Sequence, residues 1–108
     1  PKSNDIIKPE IIDAVTISRD SIKLLFNMEI AFNQTNINVA NYILEYAENG
    51  ETVRKVPIGI SYIDPLTLIL RFDELDPSTD YKLLFNKVYD YSEEYLSVSS
   101  VTNVRWGR

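Results

Sequence analysis

Apolar and polar residues alternate along most of this chain, and turn-forming residues break the alternation at short intervals. A period of two sends successive side chains to opposite faces of a strand, so the pattern predicts an all-β domain. A polar, proline-flanked stretch over residues 1–10, "PKSNDIIKPE", reads as a linker or lead-in, with the domain occupying residues 11–108. The first strand is predicted from about Ile11 to Ile17, and Arg19-Asp20 then turns the chain into "SIKLLFNM". There Ile22, Leu24, Phe26 and Met28 face one way, with Lys23 and Asn27 opposite. The stretch "EIAFNQTNINVA" is too long and polar for a tight hairpin and is expected to cross between two sheets. In "NYILEY", Tyr42, Leu44 and Tyr46 share a face; Asn49-Gly50 follows, a hairpin signal because both residues tolerate positive φ.

The second half continues the pattern. "TVRKVPIGI" predicts a weaker strand, with Pro57 at an edge or bulge because it has no N–H to donate. Asp64-Pro65 makes a turn, and "TLILRF" turns Leu68, Leu70 and Phe72 inward. In "YKLLFNKVYD", Tyr81, Leu83 and Phe85 point one way while Val88 falls on the opposite parity. A β-bulge at Asn86-Lys87 would return Val88 to the core. "VSSVTNVRW" closes the set, with Trp106 alternating with Val104. Seven short strands separated by turns predict a seven-stranded Greek-key β-sandwich.

Composition narrows the functions open to such a fold. At 108 residues the chain can close one core. With 11 basic and 16 acidic residues its net charge is -5, so no phosphate-neutralising surface for nucleic acid is expected. No apolar run reaches the length of a membrane span, so direct membrane insertion is not expected either. The chain has neither His nor Cys, which removes the commonest general base, most transition-metal ligand sets, thiol nucleophiles and disulfides. It begins at Pro1 rather than Met, and is expected to be a piece of a longer protein.

A resemblance enters at "LDPSTDY". A Leu, a Pro-containing turn and a Tyr opening the next strand resemble the tyrosine corner of fibronectin type III and related Ig-like domains, with Leu75 and Tyr81 in the matching positions. The wider layout is similar to the bacterial Ig-like domains of S-layer and other multidomain cell-surface proteins. It rests on Phe26-Asn27, Ala40-Asn41-Tyr42, Thr67 to Leu70, Leu75 to Tyr81 and Val88-Tyr89-Asp90, and covers nearly the whole chain from Glu10 onward. The chain departs from that layout where a Gly-Asn pair usually follows the Asp: here stand Glu93-Glu94, so the last hairpin must turn by another geometry. The resemblance implies structural roles for Leu75, Tyr81, Phe26, Tyr42 and Asp90. It also implies an extracellular or cell-surface location, with neighbouring domains of the same polypeptide as partners.

Candidate chemistry is sparse. The carboxylates of Asp73, Glu74, Asp76, Asp80, Asp90, Glu93 and Glu94 are of the type calcium takes, but no D-x-D-x-D-G spacing is present, and no cofactor is expected. A glycosidase pair would need a cleft that turns of a small sandwich do not offer, and no enzyme activity is expected. Tyr89, Tyr91 and Tyr95 gather around the last hairpin, where amphipathic rings suit a polysaccharide or a surface protein. Asn33-Gln34-Thr35 fits the N-glycosylation acceptor pattern, and Arg54-Lys55 reads as charge protecting an edge strand. The expected function is a non-catalytic spacer module. The alternative is a carbohydrate- or protein-binding module working through Tyr89, Tyr91 and Tyr95, accessory to a secreted enzyme.

Overall fold

Where side chains alternate in polarity, one edge of the chain is driven inward, and in the computed structural model that drive lays down nine strands. The structure describes residues 8–107, apart from the side chains of residues 98–100. The strands are β1 (Ile11–Ser18), β2 (Ser21–Phe26), β3 (Tyr42–Glu48), β4 (Glu51–Lys55), β5 (Gly59–Asp64), β6 (Thr67–Arg71), β7 (Lys82–Tyr89), β8 (Leu96–Asn103) and β9 (Arg105–Trp106). They form two sheets, one ordered β5-β6-β2-β1-β9 and the other β4-β3-β7-β8. Between the sheets Ile22, Leu24, Phe26, Leu68 and Leu70 meet Tyr42, Leu44, Leu83, Phe85 and Val88, all buried. The Phe26 and Phe85 rings lie 6.4 Å apart across that core. Leu75, Phe72 and Tyr81 close one end of it.

Seven strands were expected and nine are found among the described residues, because two predicted strands each divide between the sheets. "TVRKVPIGI" becomes β4 at the edge of one sheet and β5 at the edge of the other, with buried Pro57 in the crossing. Proline has no N–H for either ladder, so the chain leaves one sheet there and joins the other. The last strand likewise passes from β8 to β9 at Val104, whose N–H donates to Tyr81 O at 2.9 Å. β9 then runs parallel to β1, held by a two-pronged contact of Arg105 Nε and Nη2 on the Asp13 carboxylate, each at 2.8 Å. Gly107 passes so close to Thr16 O that a Cβ would stand 2.7 Å from it.

The expected Asn86-Lys87 bulge is not present against β8: Phe85↔Ser100 and Lys87↔Val98, on either side of Asn86, keep one register. Val88 is nonetheless fully buried, while Asn86 and Lys87 are both exposed. The parity changes where β3 stops pairing, at Tyr42↔Phe85, so β7 is free to twist on that side while β8 follows it. Met28 does not extend β2; it lies beyond Phe26, half-buried. The Asn49-Gly50 turn has φ of 54° and 80° and joins Glu48 to its partner Glu51. Of the expected lead-in, residues 1–7 lie outside the described residues. Lys8 to Glu10 are tied down: Asn27 Nδ2 donates to Lys8 O, Glu10 N donates to Asn27 Oδ1, and Ser97 Oγ donates to the carbonyl of buried Pro9.

"EIAFNQTNINVA" does cross between sheets, and Asn36 within it and Asn41 directly after it are structural. Asn41 Oδ1 accepts from Lys87 N at 2.9 Å and its Nδ2 donates to Lys87 O at 2.5 Å. Asn36 does the same to Tyr89, both contacts at 2.9 Å, and also donates to Ala31 O at 2.8 Å. Tyr42, fully buried, donates its hydroxyl to Asn36 O at 2.6 Å. Burial pushes that hydroxyl well above the ordinary tyrosine value.

At the corner, Asp76 N donates to Tyr81 Oη at 2.9 Å. The Tyr81 ring packs edge-on to Tyr46 at 5.1 Å and lies 6.2 Å from Trp106. Tyr81→Phe strands the Asp76 N–H, and is expected to cost about 1 kcal/mol or more by chemical denaturation. Asn36→Ala strands the Tyr89 N–H and the Ala31 carbonyl, and leaves the Tyr89 carbonyl the longer contact from Ala31 N at 3.4 Å. A loss of about 3 kcal/mol or more is expected, with an unfolding midpoint clearly below that of Tyr81→Phe. An Asn36→Ala midpoint equal to wild type would contradict the structural role of that amide.

Candidate functional site

The last hairpin turns without glycine because Asp90 organises it. This buried residue accepts from Glu94 N at 3.0 Å and Tyr95 N at 3.1 Å through Oδ1, and from Ser92 Oγ at 2.9 Å through Oδ2. Its own N–H donates to Tyr95 O, and its carbonyl accepts from Glu93 N. Within that frame Glu93 takes a left-handed φ of 63°, the conformation a glycine would adopt without steric cost. Desolvation pushes the Asp90 carboxyl upward, but donors from Tyr95, Ser92, Glu94 and Glu93 outweigh it and hold the group below the usual Asp value.

Tyr89 is half-buried on β7, Tyr95 follows the turn, and Tyr91, 61% exposed, lines a groove. That groove, about 670 Å³, is bounded by Ala31, Phe32, Tyr62, Pro65, Tyr91 and Glu93. Phe32 and Tyr62 come from the crossing loop and from β5, and the sequence had not marked either. Their rings stand 5.0 Å apart at 66°, and the Tyr62 hydroxyl donates to Ile30 O at 2.8 Å. The hairpin is stapled to the crossing loop at three points: Tyr91 N to Glu29 O at 3.0 Å, the Ile30↔Asp90 bridge, and Asn33 Nδ2 to Glu93 Oε2 at 2.8 Å. The last of these engages the nitrogen that a glycan on the Asn33-Gln34-Thr35 acceptor would occupy.

The remaining carboxylates are spread out. Asp76 caps its own turn through Ser78 N and Oγ, and Glu74 pairs with Arg19 at 3.0 Å, both side chains well exposed. Among the described residues no three acidic side chains come together as a metal site. At the opposite end of the sandwich a second groove, about 920 Å³, is lined by Thr16, Ile17, Arg19, Leu75, Pro77 and Trp106, among others. The Trp106 indole N–H is buried there without a hydrogen-bond partner.

No family model matches the chain, and no curated protein matches it. Solved structures do. The surface layer protein SbsC, domains 1-6, aligns over 91% of this chain with a TM-score of 0.76 and 17% identity. The crystal structure of the S-layer protein rSbsC aligns over 92% with a TM-score of 0.77 and 17% identity. The N-terminal part of the bacterial S-layer protein SbsC aligns over 93% with a TM-score of 0.69 and 16% identity. What the chain shares with them is the fold. It spans 13%, 14% and 23% of those three chains, so the likeness is to one domain among several.

The Asp90 turn has a pH signature. A carboxyl held below its unfolded value, 3.8, adds stability that is complete above that value and lost as pH falls through the lower folded value. Asp90→Asn is therefore expected to flatten the fall in thermal midpoint between about pH 4 and pH 2. The slope left in the variant comes from Asp13, Asp20 and Asp76, whose carboxyls are also held low. Parallel curves for wild type and variant would remove Asp90 from the acid response.

Proposed function

We propose that this chain is a non-catalytic structural module of a larger cell-surface protein, an Ig-like or fibronectin type III-like Greek-key sandwich that spaces and orients its neighbours. The carrying observation is the alignment of nine-tenths of the chain on S-layer protein structures, of which it spans a minor part. The strand order supports the finer fold class: β5-β6-β2-β1, extended by β9, faces β4-β3-β7-β8, so the third and fourth strands share the sheet opposite the first two and the next two, as in an Ig-like domain.

Chain direction supports the spacer role. β1 and β9 pair in parallel, Val15 with Arg105 and Thr16 with Trp106, so the polypeptide enters at one end and leaves towards the other. β1 alone covers about 25 Å in that direction. A module threaded this way extends a tandem array, whereas adjacent termini would fold the array back on itself. The partners of this reading are the flanking domains of the same polypeptide. The chemistry required of the module is cohesion: a closed core, a pinned corner, and edge strands that do not recruit other chains. β4 meets that last need with Glu51, Arg54 and Lys55, and Arg54 pairs with Glu45 across the ladder at 3.1 Å.

The test is topological. Intact cells of the source organism are treated with a non-permeant protease and probed with an antibody against this domain. Removal of the epitope without lysis is the expected result. Protection until the cells are broken would overturn the cell-surface reading.

A further inference from the structure

We propose that the groove between Phe32, Tyr62 and Tyr91 docks a lysine or arginine side chain carried on a basic segment of a protein partner. Two of the groove's aromatic walls, Phe32 and Tyr91, stand largely outside the core, while Tyr62 packs against it and backs them. Phe32 is 67% exposed and Tyr91 61% exposed, so neither contributes much to folding by burial. Water-exposed rings gathered in one place on a small domain mark a surface built to be covered.

The frame of the groove is set before any partner arrives. Phe32 and Tyr62 meet at 66°, forming two sides of a corner, and the Tyr62 hydroxyl is anchored on Ile30 O. Tyr91 is pinned through its N–H to Glu29 O, and Glu93 is set by the Asp90 turn and by Asn33. A preformed groove loses little freedom on binding.

Charge selects the occupant. The lining contains Glu93 and no lysine or arginine. Burial, and with it the Glu29 and Asp64 carboxylates that lie near Tyr62 as well, hold its hydroxyl above the ordinary tyrosine value, so the negative charge at the groove comes from carboxylates. Aromatic faces add to it through their quadrupoles. An ammonium or guanidinium satisfies both the rings and the carboxylates. A neutral sugar would find few donors, since the Tyr62 hydroxyl already donates to the protein. The groove is shallow and open, which suits a side chain held on a larger surface, and exposed Leu66, next to Pro65 in the turn, extends an apolar rim for the rest of that segment. The inference does not depend on the module reading: it concerns this surface wherever the domain resides.

The probe is an acetylated, amidated Gly-Arg-Gly-Arg-Gly peptide, with lysine and norleucine counterparts, titrated into the ¹⁵N-labelled chain. Amide shifts from both cationic peptides are expected to centre on Phe32, Tyr62, Tyr91 and Glu93, with none from the norleucine peptide. Phe32→Ser and Tyr91→Ser leave net charge unchanged, and each is expected to weaken binding about tenfold at an unaltered unfolding midpoint. Glu93→Gln is expected to weaken it as well, and carries the test should a serine variant fail to fold. Affinity indifferent to the aromatic variants would mean diffuse attraction to an acidic protein and would overturn the proposal. So would shifts mapping elsewhere, absence of binding by the cationic peptides, or occupation of this groove by chito-oligosaccharide instead.

Discussion

Past Tyr42, strand β7 has no neighbouring strand on the β3 side, yet its part-buried backbone groups there still need partners. Two asparagine side chains supply them. Asn41 brackets Lys87 and Asn36 brackets Tyr89, each offering one acceptor and one donor as a strand residue would. A primary amide is the side chain that can do this, because it carries both functions in one plane. The ladder is then handed to backbone again at Ile30↔Asp90 and at Tyr91 N to Glu29 O. The crossing loop is thereby a surrogate strand. Tyr42 and Pro57 sit buried on either side of the same problem, one donating into the loop and the other marking where the chain changes sheets.

Everything at that end of the molecule follows from the surrogate ladder. It sets the height of Phe32 against Tyr62, and of Tyr91 and Glu93 against both. The Asp90 turn would be adrift without it, since the hairpin touches the rest of the domain through Glu29, Ile30 and Asn33. The opposite end is organised by a different device. There Tyr81 accepts from Asp76, packs on Tyr46 and Trp106, and receives β9 through Val104. One end is therefore held by amides and carboxylates and the other by aromatic packing. The second is the more sensitive to loss of volume, whereas acid acts on both, since Asp20 and Asp76 are held low there as Asp90 is at the first.

Much of the fold was legible along the chain. Alternation identified Ile22, Leu24, Phe26, Leu44, Leu68, Leu70, Leu83 and Phe85 as core, and all are buried. The Asn49-Gly50 turn was readable because left-handed backbone is costly for most residues. The two sheet crossings at Pro57 and Val104 were not: a strand that changes sheets keeps its alternation, and periodicity carries no information about which ladder it joins. Asn86-Lys87 was recognised as irregular through the parity of Val88, but the remedy lay in the end of β3 rather than in an inserted residue. Of the tyrosines singled out near the last hairpin, only Tyr91 reaches the groove. Phe32 looked like one apolar residue in a polar loop, and Tyr62 like one strand tyrosine among several.

By itself, then, the sequence determined which side of each strand faces inward, where the tight turns fall, and that neither histidine nor cysteine chemistry is available. These are properties of neighbours in the chain, set by side-chain alternation, backbone preference and composition. Only the tertiary structure decided that Asn36 meets Tyr89, 53 residues away, and that Asn33 meets Glu93, 60 residues away. The physical reason is that such meetings depend on the register of sheets and on the path of a crossing loop. An amide or a ring has no preferred distant partner until packing places one beside it.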